Sequence, residues 1–121
     1  MIIKRIHIDV FRAPVEKPVV TSFSTIPSRA IAMLRLEDRD GVVGWSDIWG
    51  NFPTITTEYR SKLAAFLLPD LVIGKTVDDI PSFYHGLMRQ LHVMAVQADE
   101  PGPMASVLAA VDQALWDLQA R

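Results

Sequence analysis

The apolar residues of this chain change their spacing part-way along, and that change limits the folds open to it. Up to about residue 48 they recur at every second position, as on a strand with one buried face. From about residue 56 they recur every three to four positions, as on a helix with one buried stripe. Strands first and helices afterwards predict an α+β domain rather than alternating units around a parallel sheet.

Residues 2–12 form the first expected strand, with Ile6, Ile8 and Val10 on one face and Arg5, His7 and Asp9 on the other. Pro14 and Pro18 lack a backbone donor and fix φ, and a polar stretch follows, so residues 13–28 are expected to be a loop. At about 16 residues it is long for a compact domain, and loops of that length are often lids or binding loops. A second strand over residues 29–38 puts Ala30, Ala32, Leu34 and Leu36 on one face, with Arg35 and Glu37 opposite. Asp38-Arg39-Asp40-Gly41 supplies turn chemistry, because Gly41 accepts a positive φ. Residues 42–48 then return as the third strand, in which Gly44 predicts a bulge or the close approach of another backbone. Trp49-Gly50-Asn51-Phe52-Pro53 is read as a loop.

The first helix is expected over residues 56–68, capped by Thr56 or Thr57 and stopped by Pro69, with Tyr59, Leu63, Phe66 and Leu67 on its buried face. Leu71-Val72-Ile73-Gly74 is read as an apolar connector. A second helix over residues 79–97 tolerates Pro81 in its first turn and carries a stripe of Ile80, Phe83, Tyr84, Leu87, Leu91 and Met94. Asp99-Glu100-Pro101-Gly102-Pro103 interrupts it, and a third helix is expected over residues 104–120. Its stripe is Met104, Val107, Leu108, Val111, Leu115 and Leu118; Trp116 lies off that stripe and calls for a second burial partner.

Composition narrows the function classes. The 121 residues are half apolar, enough for one core spanning residues 1–121 without metal or disulfide staples. There is no cysteine, which removes disulfides, thiolate metal sites and thiol catalysis and fits a reducing cytoplasm. The Lys and Arg residues are scattered and the net charge is -2, so the concentrated basic patch of a nucleic-acid binder is missing. No apolar run approaches the roughly 18 residues of a membrane span, and charge interrupts the first residues too early for a signal peptide. A cytoplasmic protein that binds neither nucleic acid nor membrane is expected.

Other constellations point to structure. His85 and His92 are seven residues apart on one helix, about 10 Å along its axis, which is too far for one metal. Asp112 and Asp117 diverge by about 140° around a helix; Asp112 is expected to make a structural hydrogen bond and Asp117 to pair with Arg121. Asp78-Asp79 is helix-start chemistry.

Two segments carry a family resemblance. Asp40-Gly41-Val42-Val43-Gly44-Trp45-Ser46-Asp47 follows a hairpin pattern Asp-Gly-x-x-Gly-x-Gly-Glu, with Ser46-Asp47 in place of its last Gly-Glu. Ala110-Val111-Asp112-Gln113-Ala114-Leu115-Trp116-Asp117 matches the helix pattern Ala-x-Asp-x-Ala-Leu-Trp-Asp without a break. With these motifs at this separation, the chain resembles the N-terminal domain of the mandelate racemase/muconate lactonizing subgroup of the enolase superfamily. The Ser46-Asp47 departure lies at a strand end, where it bears on what that edge contacts.

The resemblance implies a three-stranded antiparallel meander followed by a three-helix bundle that caps a barrel of alternating strands and helices. In that family a Lys or His of the barrel removes the proton α to a carboxylate, and a barrel-bound Mg²⁺ stabilises the enediolate. Such a barrel takes about 250 residues, so this chain is expected to lack the barrel, catalytic residues and cofactor and to be inactive alone. Mg²⁺ is expected in a full-length relative, whose reaction on a small carboxylate substrate would be racemisation, cycloisomerisation or dehydration.

The resemblance also implies substrate discrimination through two loops over the barrel mouth, and Thr21, Phe23, Ile26, Trp49, Asn51 and Phe52 are the candidates. The alternative for Phe23 and Phe52 is packing against the domain's own core. A homo-oligomer is implied as well. The rival class of function is a free-standing interaction or oligomerisation module, using apolar surface along the third helix and the loop face.

Overall fold

The alternating segment becomes a sheet and the 3.6-period segment becomes helices. A computed structural model describes residues 1–121. Three strands, β1 (Ile3–Val20), β2 (Thr25–Asp38) and β3 (Val43–Ile48), form an antiparallel sheet in the order β1-β2-β3. Three helices follow, α1 (Thr56–Val72), α2 (Ile80–Gln97) and α3 (Pro101–Gln119). The architecture is α+β, with the helices on one face of the meander.

The β1–β2 hairpin departs most from expectation. Residues 13–28 are mostly strand, because the ladder continues out to Val20 opposite Thr25. The prolines are accommodated by two features of β1. It is an edge strand, where half of the donors face away from the ladder, and its register slips between Pro14 and Val19. There Val15, Glu16, Lys17 and Pro18 stand opposite Pro27 alone. The expected 16-residue loop is therefore a long hairpin closed by the short turn Thr21–Ser24.

At the other end, the Asp38 carboxylate accepts the amides of Asp40 and Val42 at 2.9 and 3.0 Å, and Gly41 has φ 81°. Buried Asp38 thus shapes the β2–β3 turn.

The helices differ from expectation mainly at their ends. α1 continues through Pro69 to Val72. Proline removes one ladder donor, but Leu68, Leu71 and Val72 are all buried and hold the last turn on the core. Neither Thr56 nor Thr57 caps the helix; Ile55 holds the N-cap position without a side-chain bond. The expected α1 stripe is also displaced. Leu67 is buried and Leu63 partly buried as expected, but the rest of the buried face is Thr57, Ser61, Ala64, Leu68, Leu71 and Val72, whereas Tyr59 is partly exposed and Phe66 is 79% exposed. Small side chains let α1 lie close to its neighbours, a packing advantage that counting large apolar residues overlooks.

In α2, Asp79 caps the start by accepting the Ser82 amide at 2.8 Å, with Pro81 in the first turn. Ile80, Leu87 and Leu91 are buried, but Ala95 rather than Met94 completes the stripe. α3 begins three residues earlier than expected, at Pro101, because the first turn of a helix has no ladder partner for its amides and tolerates Pro101 and Pro103.

α3 is the centre of the domain. It packs against β3, β2, α1 and α2, and Met104, Val107, Leu108, Val111, Leu115 and Leu118 are all buried. Its apolar stripe is consumed inside the domain; only Trp116 stays 48% exposed.

The contact of α3 with β3 is close enough to exclude a side chain. A Cβ built on Gly44 would collide with the Ala114 carbonyl oxygen and lie 2.6 Å from Leu118 Cβ. Gly44 is thus a site of backbone approach, one of the two roles expected of it. Beside it the buried Ser46 hydroxyl donates to the Ala110 carbonyl at 2.6 Å, and the Trp45 amide donates to Asp117 Oδ2 at 2.8 Å. Ser46, where the resembled pattern has glycine, therefore ties the strand to the helix. Asp117 also pairs with Arg121 at 3.0 Å, and both contacts hold its carboxyl below the usual range, the Trp45 amide most strongly. Asp112 makes no side-chain hydrogen bond within the protein, contrary to expectation.

Gly44→Ala should lower the free energy of unfolding by about 1–3 kcal/mol, the usual cost of overpacking, as read from urea denaturation. An unchanged midpoint would show that β3 and α3 separate without loss.

Candidate functional site

Two chain segments meet at the end of the sheet where β1 turns into β2. One is the Thr21–Ser24 turn; the other is the segment leaving β3, residues 49–55. The turn is self-contained: Thr21 Oγ1 accepts the Ser24 amide and donates to the Ser24 carbonyl, both at 3.0 Å. This spends the Thr21 hydroxyl on local structure. Phe23, at the tip, is 75% exposed and meets half-buried Phe52 edge-on, with ring centroids 5.4 Å apart. Neither ring enters the hydrophobic core cluster; they pack on each other instead. Ile26, by contrast, is buried.

The 49–55 segment is fastened along its length. Arg60 Nη1 donates to the Trp49 carbonyl, and its guanidinium lies 5.0 Å from the Trp49 ring centroid. Thr57 Oγ1 donates to the Gly50 carbonyl at 2.6 Å, and a Cβ on Gly50 would sit 2.9 Å from Thr57 Cα. Arg29 Nη1 donates to Asn51 Oδ1 at 2.6 Å. Arg12 Nη2 donates to the Thr54 carbonyl at 2.6 Å. Trp49 remains 57% exposed and Asn51 is exposed.

Arg12 also forms a two-pronged pair with Glu58, Nε to Oε1 at 2.8 Å and Nη2 to Oε2 at 2.7 Å, and Nη1 donates to Ser28 Oγ at 2.8 Å. The bond from Arg12 lowers the Glu58 carboxyl and outweighs the opposing desolvation, while the same bond raises the Arg12 guanidinium.

The anchors Arg12, Arg29, Thr57, Glu58 and Arg60 escape a reading of the sequence. Their partners lie up to 46 residues away, and isolated basic residues have the look of a solvated face. The one local signal is the pair Thr56-Thr57, which has the look of a helix cap, whereas Thr57 spends its hydroxyl on the Gly50 carbonyl.

No three His, Asp or Glu side chains converge in a way that could hold a metal ion. The Mg²⁺ implied by resemblance therefore has no ligand set among these residues. His85 instead lies against Tyr84, ring centroids 5.9 Å apart. No helix is long and apolar enough to cross a membrane.

A three-stranded meander backed by three helices, with two segments held together at one end of the sheet, defines an enolase-type N-terminal domain. Residues 5–121 match the family described as mandelate racemase / muconate lactonizing enzyme, N-terminal domain, and the chain belongs to that family. No curated protein sequence matches it.

Among solved structures, a mandelate racemase/muconate lactonizing enzyme from Bordetella bronchiseptica RB50 is 34% identical with a TM-score of 0.85, the match covering 99% of this chain and 30% of that one. A racemase from Streptomyces coelicolor A3(2) with bound magnesium is 23% identical with a TM-score of 0.81, covering 98% and 32%. The L-Ala-D/L-Glu epimerase from Bacillus subtilis, in a substrate-liganded complex, is 23% identical with a TM-score of 0.73, covering 99% and 31%. The last two show a shared fold. The chain spans about 30% of the length of the chains it matches.

Because the folded pKa of Glu58 lies below its unfolded value, the pair stabilises the protein fully above the unfolded value of about 4.3 and loses that effect as pH falls through the folded one. Thermal unfolding of the parent and Glu58→Gln should therefore differ by a constant amount between about pH 6 and 7 and converge toward about pH 2. A gap that persists in acid would assign the effect to something other than this ionisation.

Proposed function

We propose that residues 1–121 form one capping domain that covers the substrate-binding mouth of a family barrel, and that Phe23, Trp49, Asn51 and Phe52 line that cover. The contact between Phe23 and Phe52 carries the reading. Two aromatic rings from separate segments meet outside the core, on an anchored base, and present apolar area beside a few polar groups. Such a surface suits an organic substrate whose charged end is held elsewhere. Closing it over a barrel would exclude water and strengthen the electrostatics beneath.

Within this reading Thr21 shapes the turn and Ile26 supports it from the buried face, so neither is a primary contact. The substrate class is a small carboxylate, and the reaction is racemisation, cycloisomerisation or dehydration by proton abstraction α to the carboxylate. The racemase and epimerase relatives support that class. Mg²⁺, bound in the Streptomyces coelicolor racemase, would belong to the barrel and supply stabilisation of the enediolate there. No chemical step is assigned to these residues, and the domain is inactive alone. We further infer a cytoplasmic location, which the lack of cysteine fits.

In a full-length enzyme carrying this domain, Phe52→Ala and Phe23→Ala should each lower kcat/KM about tenfold or more for the preferred carboxylate, with Mg²⁺ affinity unchanged. Equal kcat/KM for both variants and the parent across a carboxylate panel would end the cover reading. The 121-residue chain with Mg²⁺ and the same acids in D₂O should show no α-hydrogen exchange by NMR; exchange would move chemistry into this domain.

A second reading, association between copies, draws on the outer sheet face. Phe11, Ile31 and Trp45 are all exposed there, and Trp116 is exposed on α3. Exposed apolar side chains on the outer sheet face favour a partner surface. A homo-oligomer is therefore proposed, and light scattering of the purified chain should give a mass of at least two copies. A monomer at high micromolar concentration would refute association through this domain.

A further inference from the structure

Of the three arginines at the cover, Arg12 alone joins four parts of the structure. It belongs to β1, bonds Ser28 of β2, grips Glu58 in the first turn of α1 with two prongs, and holds the Thr54 carbonyl of the 49–55 segment. Arg29 ties β2 to Asn51, and Arg60 ties α1 to Trp49. The register explains how Arg12 reaches so far. Opposite Ala30, it shares the helix-side face with Val10 and Ala32, beyond the last core residue of that face. Ala30 leaves room, and a long side chain extends across it toward α1.

We infer that Arg12 is a positioning residue that fixes the Thr54 end of the 49–55 segment against the β1–β2 hairpin and so sets where Phe52 stands relative to Phe23. The bond to the Thr54 carbonyl is the active element. The pair with Glu58 and the bond to Ser28 orient the guanidinium so that one N–H of Nη2 points at that carbonyl. A planar fork is needed for this division of labour. Lysine offers a point charge and cannot hold a carboxylate, a hydroxyl and a carbonyl in one fixed plane.

This inference rests on the reading of the 49–55 segment as part of the cover. Its test follows the segment itself rather than substrate, so failure of the cover and failure of the anchor give different results. Two signals report the segment in the 121-residue chain. One is exchange of the Thr56 amide, which donates to the Pro53 carbonyl at 2.8 Å. The other is the nuclear Overhauser effect between the Phe23 and Phe52 rings. The α3 amides serve as the reference for global stability.

Arg12→Lys should speed Thr56 exchange about tenfold beyond any change it causes in the α3 amides, the loss of one charge-assisted bond, and weaken the ring-to-ring signal. Glu58→Gln keeps the Thr54 bond and should have a smaller effect. The decisive variant is the swap Arg12→Glu with Glu58→Arg. It restores opposite charges, but a carboxylate at position 12 has no proton for the Thr54 carbonyl. It should recover the melting temperature while Thr56 exchange stays fast. Parental exchange in the swap would mean that the ion pair alone holds the segment. Parental exchange and an intact ring contact in Arg12→Lys would remove Arg12 from the role altogether. Either result overturns the inference.

Discussion

The structure depends on how closely α3 can lie on β3. Three successive strand residues make that contact, each by different means. Gly44 removes the side chain that would strike the helix backbone, Trp45 donates its edge amide to Asp117, and Ser46 donates its hydroxyl to the Ala110 carbonyl. Ala110 and Ala114 are fully buried at the same contact, small enough to keep the backbones near. With α3 seated in this way, its remaining stripe faces α1 and α2, and a single helix closes the core against the sheet.

That seating has a consequence at the far end of the sheet. The helices cover the middle of the meander but leave the tip of the β1–β2 hairpin projecting. Val10 is already exposed, although it continues the helix-side alternation of Ile6 and Ile8. Polar contacts replace the core there. Exposed ion pairs ordinarily contribute little, but here arginines fork onto carbonyls, an amide oxygen and a carboxylate, each spanning two elements. Their work is geometric, since they hold an otherwise irregular segment in one place beside the hairpin.

A division between a packed body and a fastened rim suits a domain whose fold is shared and whose contacts vary. Relatives at 23% identity keep the fold, as expected when core volume and patterning are preserved. The proposed cover lies on the rim, where a changed side chain would not disturb the packed body.

Much of the fold was legible in the residues. Period two and then period 3.6 marked sheet and helices, Asp38 to Gly41 marked the turn, Asp79 marked the start of α2, and Gly44 marked a close approach. Each of these is a local rule, acting within a few positions of the chain. The errors were also local rules, overridden from outside. Pro14 and Pro18 resemble loop residues until β1 is known to be an edge strand; Pro69 resembles a helix stop until the next turn is known to be buried. Of the candidate site, the two segments and the aromatics Phe23 and Phe52 could be named from the residues, but neither their contact nor their anchors could.

The order of residues thus determined the element types, the α+β class and, through two motifs, the family. Only the tertiary structure decided which face α1 buries, that Ile26 turns inward, and that Phe23 and Phe52 meet through supports on Arg12, Arg29 and Arg60. The reason is range. Backbone propensity and amphipathic period act between near neighbours, whereas a guanidinium chooses its carbonyl only after the chain has folded and brought distant residues within hydrogen-bonding distance.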